Sequence, residues 1–244
     1  MIELYNADCL EQMKKIKDKS IDLILCDLPY GTLECKWDIL IPFDKLWEQY
    51  NRIIKDNGAI ALFGNEPFSS LLRTSNLKMF RYDWYWRKTK QANYAQARYM
   101  PLKNMEIISI FSKGNIAQNS KIRMNYFPQG TEPCHILATE QQGSNNFRPN
   151  RTSKKVSFIR TVKNYPRQLL EFKSCSKPIH PTQKPVELLE YLIKTYTLEG
   201  ELVLDNCMGS GSTGVACINT NRNFIGIEKD KTYFELAKKR IESI

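Results

Sequence analysis

The residues with the most chemical potential form a short run, Asp27-Leu28-Pro29-Tyr30. It follows a compact apolar stretch, Ile21 to Cys26, whose pattern predicts a buried parallel strand. Pro29 and Gly31 break that strand at once, which leaves the four residues in a stiff turn. Asp27 offers a carboxylate acceptor. Leu28 offers a main-chain oxygen, held in place because the residue before a proline is conformationally restricted. Tyr30 offers an aromatic face. Two acceptors and a stacking ring make a receptor for a planar base that bears an NH2 group. Taken alone, the same four residues are also an ordinary strand end.

A second run, Leu202 to Gly214, has the pattern of a strand, a glycine-rich turn and a helix start. Glycines there permit positive φ and let a ligand approach the backbone closely. The helix N-terminus beyond them favours negative charge, such as a carboxylate. Gly209, Gly211 and Gly214 satisfy the spacing G-x-G-x-x-G, and no Gly-Lys-Ser/Thr follows to make a P-loop. Glu228 ends the next predicted strand, 19 residues after Gly209. An acid at that point accepts both hydroxyls of a ribose, which suits a nicotinamide dinucleotide or S-adenosylmethionine. In open parallel sheets ligands bind beyond the carboxyl ends of strands, so Asp27, Asp205 and Glu228 should share one rim.

In combination these residues resemble a known family. Asp27-Leu28-Pro29-Tyr30 resembles the D-P-P-Y motif of DNA amino-methyltransferases. Asp205 to Thr213 resembles their D-P-F-x-G-S-G-T-T cofactor motif, and His180 to Pro185 resembles their H-P-T-x-K-P element. The order of catalytic motif, basic segment and cofactor motif is that of the β class. The resemblance implies a site-specific enzyme that moves a methyl group from S-adenosylmethionine to the exocyclic N6 of adenine in double-stranded DNA. It implies base flipping, because the target amine lies inside the duplex. It also allows a homodimer. Asp in the first motif position is more usual for adenine, whereas Ser is commoner for cytosine N4. A cytosine-N4 enzyme is therefore one alternative. A catalytically silent DNA-binding subunit is another, because Asn206-Cys207-Met208 stands where the family has Pro-Phe-x.

The resemblance also assigns roles. Asp27 and the Leu28 carbonyl accept the two amine N–H groups, Pro29 stiffens the turn and Tyr30 stacks on the base. Gly209 and Gly211 shape the cofactor pocket, and Glu228 holds the ribose. Asp205, Cys207, Ser212 and Thr213 complete the cofactor motif. Thr182, Gln183 and Lys184 reach the methionine end. Asp8 stands where the family has an acid near the cofactor adenine, and equally suits a helix N-cap. Phe63 is expected in the core, and His180 in a structural place. No residue set suggests a metal site.

The charge distribution points to the partner. The net charge is +10, and Lys113 to Lys177 carry twelve Lys/Arg against three Asp/Glu, or +9 of it. A near-neutral body with one basic segment suits a polyanion. Lys121, Arg123, Arg148, Arg151, Lys154, Lys155, Arg160 and Arg167 are the candidate DNA-binding residues. Most are expected on phosphates, with one or two on base edges. Trp37, Tyr94 and Tyr99 are further candidates for DNA contact.

The elements that must position these groups follow an α/β alternation. Helices are predicted over Asp8–Lys19, Phe43–Lys55, Pro67–Ser75, Pro185–Leu198, Ser212–Asn219 and from Asp230 towards Ile244. Strands are predicted at Ile21–Cys26, Ala59–Phe63, Glu201–Leu204 and Phe224–Ile227, with a turn at Asn57-Gly58. Arg81–Arg87 and Glu106–Phe111 suit an antiparallel edge, joined by a loop over Thr89–Lys103. Lys113–Lys177 holds short β-prone pieces such as Val156–Val162 and a loop at Gln141–Arg151. The expected fold is α/β: a Rossmann-like doubly wound, mostly parallel sheet with an antiparallel edge and an inserted target-recognition region. Residues 1–112 and 178–244 would make the catalytic domain and 113–177 the insert. The chain has 244 residues and is 42% hydrophobic, which suits a soluble body with one substantial core. No stretch reaches the roughly 18 apolar residues of a membrane span, and no signal peptide is evident. Seven scattered cysteines without C-x-x-C spacing read as reduced thiols in a cytoplasmic protein.

Overall fold

The run Ile21–Cys26 is buried along its whole length, as a strand covered on both faces must be. Around it the computed structural model describes residues 1–31, 38–142, 154–175 and 183–244. Side chains are described for all of these except 140–142 and 154–155. The elements, in chain order, are β1 (Ile2–Asn6), α1 (Cys9–Met13), β2 (Ile21–Cys26), α2 (Phe43–Ile53), β3 (Ile54–Gly64), α3 (Phe68–Ser75), β4 (Phe80–Ala92), β5 (Lys103–Phe111), β6 (Glu132–Gln142), β7 (Lys154–Lys163), β8 (Leu169–Glu171), α4 (Val186–Tyr196), β9 (Leu202–Asp205), α5 (Ser212–Asn219), β10 (Asn223–Glu228) and α6 (Lys231–Glu242).

The chain divides into a larger unit, residues 1–127 and 168–244, and a smaller one, 128–167. The larger unit holds one eight-stranded sheet in the order β1-β10-β9-β2-β3-β5-β4-β8. From β1 to β3 all neighbours run parallel. Strand β5 pairs antiparallel with both β3 and β4, and β8 adds a parallel edge beyond β4. The chain winds outward from β2 in one direction and from β9 in the other. Their carboxyl ends therefore meet at a topological switch point, where open α/β sheets form a crevice.

Period-two alternation sends successive residues of β2 to opposite layers. Leu23 and Leu25 pack with Leu188, Leu192 and Tyr196 of α4, Ala216 of α5 and Ile241 of α6. Ile24 and Cys26 pack with Met13, with Leu46, Trp47 and Tyr50 of α2, and with Phe68 and Leu72 of α3. Each fully buried Leu or Ile contributes on the order of 1.5–3 kcal/mol of apolar transfer. These layers clamp both faces of the switch-point strands.

Several boundaries differ from the sequence expectation. Strand β1 was not anticipated. Helix α1 stops at Met13 instead of continuing to Lys19. The chain turns there so that Ile16 enters the core, and Arg52 satisfies the freed carbonyls of Met13 and Ile16 at 2.7 and 2.6 Å. Asn57-Gly58 is no turn but lies within β3, beside a register shift against β2. A Cβ on Gly58 would sit 2.8 Å from the Asp22 carbonyl, so that irregularity needs glycine. Residues 89–103 are only partly loop, because β4 runs on to Ala92. The smaller unit is narrower than the basic segment. It contains the antiparallel pair β6–β7, whose register sets Ile136 opposite Arg160 and Leu137 opposite Ile159.

Candidate active site

The tetrapeptide leaves β2 directly at the switch point. Asp38 fastens the turn from further along the chain, its Oδ1 accepting the backbone N–H groups of Tyr30 at 2.7 Å and Gly31 at 3.0 Å. The Tyr30 ring stacks on Phe68, with centroids 4.7 Å apart and an interplanar angle of 29°. Its hydroxyl donates to Asp27 Oδ1 at 2.7 Å and, more weakly, to Glu106 Oε1 at 3.3 Å. Leu28 is buried among the side chains below the turn.

The second oxygen of Asp27 is also engaged. Lys184, one residue ahead of the N-cap of α4, sets its ammonium 2.5 Å from Asp27 Oδ2 and 2.8 Å from Glu106 Oε1. The same nitrogen lies 5.0 Å from the centre of the Phe63 ring. Lys88 pairs with the other oxygen of Glu106. Burial raises the Asp27 carboxyl above its ordinary value, and the Lys184 charge only partly opposes this. Burial also acts to raise Glu106, but the two neighbouring ammonium groups outweigh it and hold that carboxyl below its ordinary value. Lys184 is raised, because its two carboxylates outweigh its own desolvation.

The glycine turn faces the tetrapeptide across the crevice. Gly209 has φ +51°, and a Cβ there would meet nothing within 4 Å. Its N–H donates to Glu228 Oε2 at 2.9 Å, while Asp230 N–H donates to Oε1 at 2.8 Å. Each carboxylate oxygen retains capacity for a further donor. Gly211, by contrast, turns its α-carbon towards α6, where a Cβ would lie 3.0 Å from both Ala237 and Ile241. It does not line the crevice; it allows the helix to pack closely. Arg240 of α6 clips the turn by donating to Ser210 O at 3.1 Å and Ser212 Oγ at 3.0 Å.

Asp205 serves the turn itself. It accepts the Thr213 hydroxyl at 2.6 Å and the Cys207 N–H at 3.2 Å. Asn206 is fully enclosed, its side-chain oxygen accepting the hydroxyl of buried Tyr50 at 2.5 Å. This pairing explains how Asn fits where proline was expected: it satisfies a buried phenol. Cys207 lies beside Cys26 and Cys9, and its thiol is held well above the usual value by its bond to Cys26 and by burial.

These groups surround one cavity of about 560 Å³. Its walls include Asp27, Leu28, Pro29 and Tyr30 on one side, and Asp205, Cys207, Gly209, Ser212, Thr213 and Glu228 on the other. Asp8, Phe63, Gln183 and Lys184 also reach it. Asp8 is the N-cap of α1 as well, accepting the Leu10 N–H at 3.0 Å and pairing with Lys229. Lys184 meets the carboxylates instead of lying clear of them. Thr182, His180, Trp37, Arg148 and Arg151 lie outside the described residues. Lys154 and Lys155 belong to β7. Lys121 and Arg123 are exposed in the larger unit, and Arg160 and Arg167 in the smaller. Glu106, Lys88, Asp38 and Arg240 had not been singled out. The sequence signal for Glu106 is an acid at the head of the largely apolar stretch Ile107–Phe111, although β5 itself begins at Lys103.

Comparison with known proteins gives the class. A family model described as DNA methylase, of the N6/N4 group, matches residues 21–239. A type II methyltransferase of Moraxella bovis, M2.MboI, is 26% identical over 99% of this chain and 88% of its own length. The crystal structure of an M1.HpyAVI–SAM complex has a TM-score of 0.65 and 26% identity, covering 98% of this chain and all of that one. The cytosine-N4-specific PvuII DNA methyltransferase shares the fold at TM-score 0.69 and 15% identity, over 98% and 86% of the two chains. The chain belongs to the DNA methylase family and is an S-adenosylmethionine-dependent DNA amino-methyltransferase. The site fits that cofactor: the volume suits a ligand of this size, Gly209 leaves room at the backbone, and the Glu228 carboxylate at the end of β10 would suit ribose hydroxyls.

Burial raises the Asp205 carboxyl from 3.8 to about 6. A raised folded value means that the protonated form is favoured on folding. The contribution is complete below 3.8 and is lost as pH rises through about 6. An Asp205→Asn variant lacks this loss. Its unfolding free energy should therefore gain on that of the wild type as pH rises across this window, and the difference should then level off. Urea titrations at successive pH values measure this.

Proposed function

We propose that the protein methylates the exocyclic N6 of adenine in duplex DNA, with Asp27 as the group that receives the target amine. The observation that carries this reading is the shared cavity, which has the Asp27 turn on one wall and the Gly209–Glu228 cofactor wall opposite. The choice of adenine rests on Asp in the first position of the tetrapeptide.

The target amine is a poor nucleophile because its lone pair is conjugated into the ring. Tyr30, backed by Phe68, offers a firmly held ring for the flipped base. Asp27 and the Leu28 carbonyl accept the two N–H groups, which draws the nitrogen towards tetrahedral geometry and aims its lone pair across the cavity. The negative charge of Asp27 then stabilises the developing ammonium. Holding both partners in register supplies much of the acceleration. S-adenosylmethionine, when bound, supplies the electrophilic methyl group on a sulfonium centre. Glu228 would hold its ribose, and the turn at Gly209 and Ser212 would receive its body.

DNA binding is assigned to the basic segment, residues 113–177, as the target-recognition region. Its exposed cations Lys121, Arg123, Arg160 and Arg167 suit phosphate contacts, and the β6–β7 ribbon is of a kind that enters a major groove. The family resemblance supports self-association as a homodimer, and the scattered cysteines support a cytoplasmic setting. Among the described residues no helix is long and apolar enough to cross a membrane.

Asp27→Ala should abolish methyl transfer to DNA while leaving S-adenosylmethionine affinity, measured by calorimetry, near the wild-type value. Wild-type turnover in that variant would refute the assignment. Lys121→Ala and Arg160→Ala should each weaken binding to all DNA sequences alike. Each should also reduce the slope of log K against log salt by about 0.9, as the loss of one phosphate contact does. Fluorescence anisotropy across a salt series reads this directly.

A further inference from the structure

Glu106 is a buried acid with no part in the reaction as described above. It is 1% exposed and sits on β5, held in register with Trp86 of β4. Lys184 bridges it to Asp27, at 2.8 Å from one carboxylate and 2.5 Å from the other. Lys88 secures Glu106 from its far side. Two carboxylates and two ammonium groups thus balance in charge within one cluster.

Lys184 occupies Asp27 Oδ2, and a target amine received by Asp27 is a second nitrogen donor to the same carboxylate. Asp27 Oδ1 is already taken by the Tyr30 hydroxyl. An incoming NH2 group therefore competes with Lys184 for Asp27 Oδ2. A buried ammonium stripped of its counter-ion is strongly disfavoured. Glu106 lies within bonding distance of Lys184 on β5, with Lys88 on its other oxygen. It can retain Lys184 without any large movement. The shift also takes a positive charge away from the nitrogen that is about to become cationic.

We propose that Glu106 is a positioning residue that receives Lys184 when the target amine takes its place on Asp27. This rests on the reading of Asp27 as the amine acceptor. Without the Glu106 charge, Lys184 stays locked on Asp27 and competes with the substrate.

Single-turnover methylation at saturating S-adenosylmethionine tests this with Glu106→Gln, the double variant Glu106→Gln/Lys184→Met, and Asp27→Ala. Glu106→Gln should lower the methyl-transfer rate roughly 10- to 100-fold with cofactor affinity unchanged by calorimetry. Adding Lys184→Met should restore the rate by about tenfold or more, because the competing ammonium is gone. A merely structural role predicts no such rescue. The proposal is overturned if Glu106→Gln turns over at the wild-type rate, or if the double variant is no faster than Glu106→Gln. Should Glu106→Gln fail to fold, the double variant, which removes both buried charges together, is compared with Asp27→Ala. A faster double variant supports the proposal, and an equally inactive one overturns it. Asp27→Ala at the wild-type rate would overturn the amine-acceptor role itself. Asp27→Ala inactive with Glu106→Gln at the wild-type rate overturns the Glu106 proposal alone.

Discussion

Lys184 carries its charge into a place that water barely reaches, and a charge there persists only beside opposite charge. Its two carboxylates come from separate strands. Asp27 follows β2, Glu106 lies on β5, and β3 runs between them in the sheet. Lys184 itself precedes α4, which packs across Leu23 and Leu25 of β2. The ion cluster therefore closes only when the sheet order, the antiparallel turn-back of β5 and the docking of α4 are all in place. In turn it fixes the direction of Asp27 and, through Tyr30, of the ring stacked on Phe68.

The cofactor-motif wall depends on close packing together with hydrogen bonds from Arg240 and to Asp205. Gly211 and Gly214 let α6 approach closely: a Cβ would lie 2.5 Å from Ile241 at Gly214 and a tight 3.0 Å from it at Gly211. Arg240 then clips Ser210 and Ser212, and Asp205 ties Cys207 and Thr213. Gly209 is left as the open point of the turn, next to Glu228. At the departure from the family motif, Asn206 accepts the buried Tyr50 hydroxyl and Cys207 lies beside the free thiols of Cys26 and Cys9. Both groups of residues line a single cavity.

Local patterns revealed much of this in advance. Ile21–Cys26 is apolar apart from Asp22, Ala59–Phe63 and Phe224–Ile227 are apolar throughout, and each of Asp27, Asp205 and Glu228 stands at a strand end. Features that depend on distant partners were not legible. Glu106 is one acid in an apolar strand, and nothing near it in sequence indicates that it is buried or paired. Its partner Lys184 read as part of a cofactor element, because the 157 residues separating it from Asp27 hide their contact. Strand β1 has only five residues, too few for its pattern to stand out. Asn57-Gly58 has turn chemistry, yet tertiary packing uses its glycine for a bulge. The basic segment marks an excess of charge, not a unit boundary. Its first residues up to Phe127 pack with the larger unit, and Leu169–Glu171 joins the edge of the large sheet.

The proposed methylation of adenine N6 is tested most directly by mass spectrometry of nucleosides digested from duplex DNA after incubation with methyl-labelled S-adenosylmethionine. Labelled N6-methyladenine, with the label in one sequence context, is the expected result. Label in N4-methylcytosine, or no label in DNA under conditions where the cofactor binds, would contradict it.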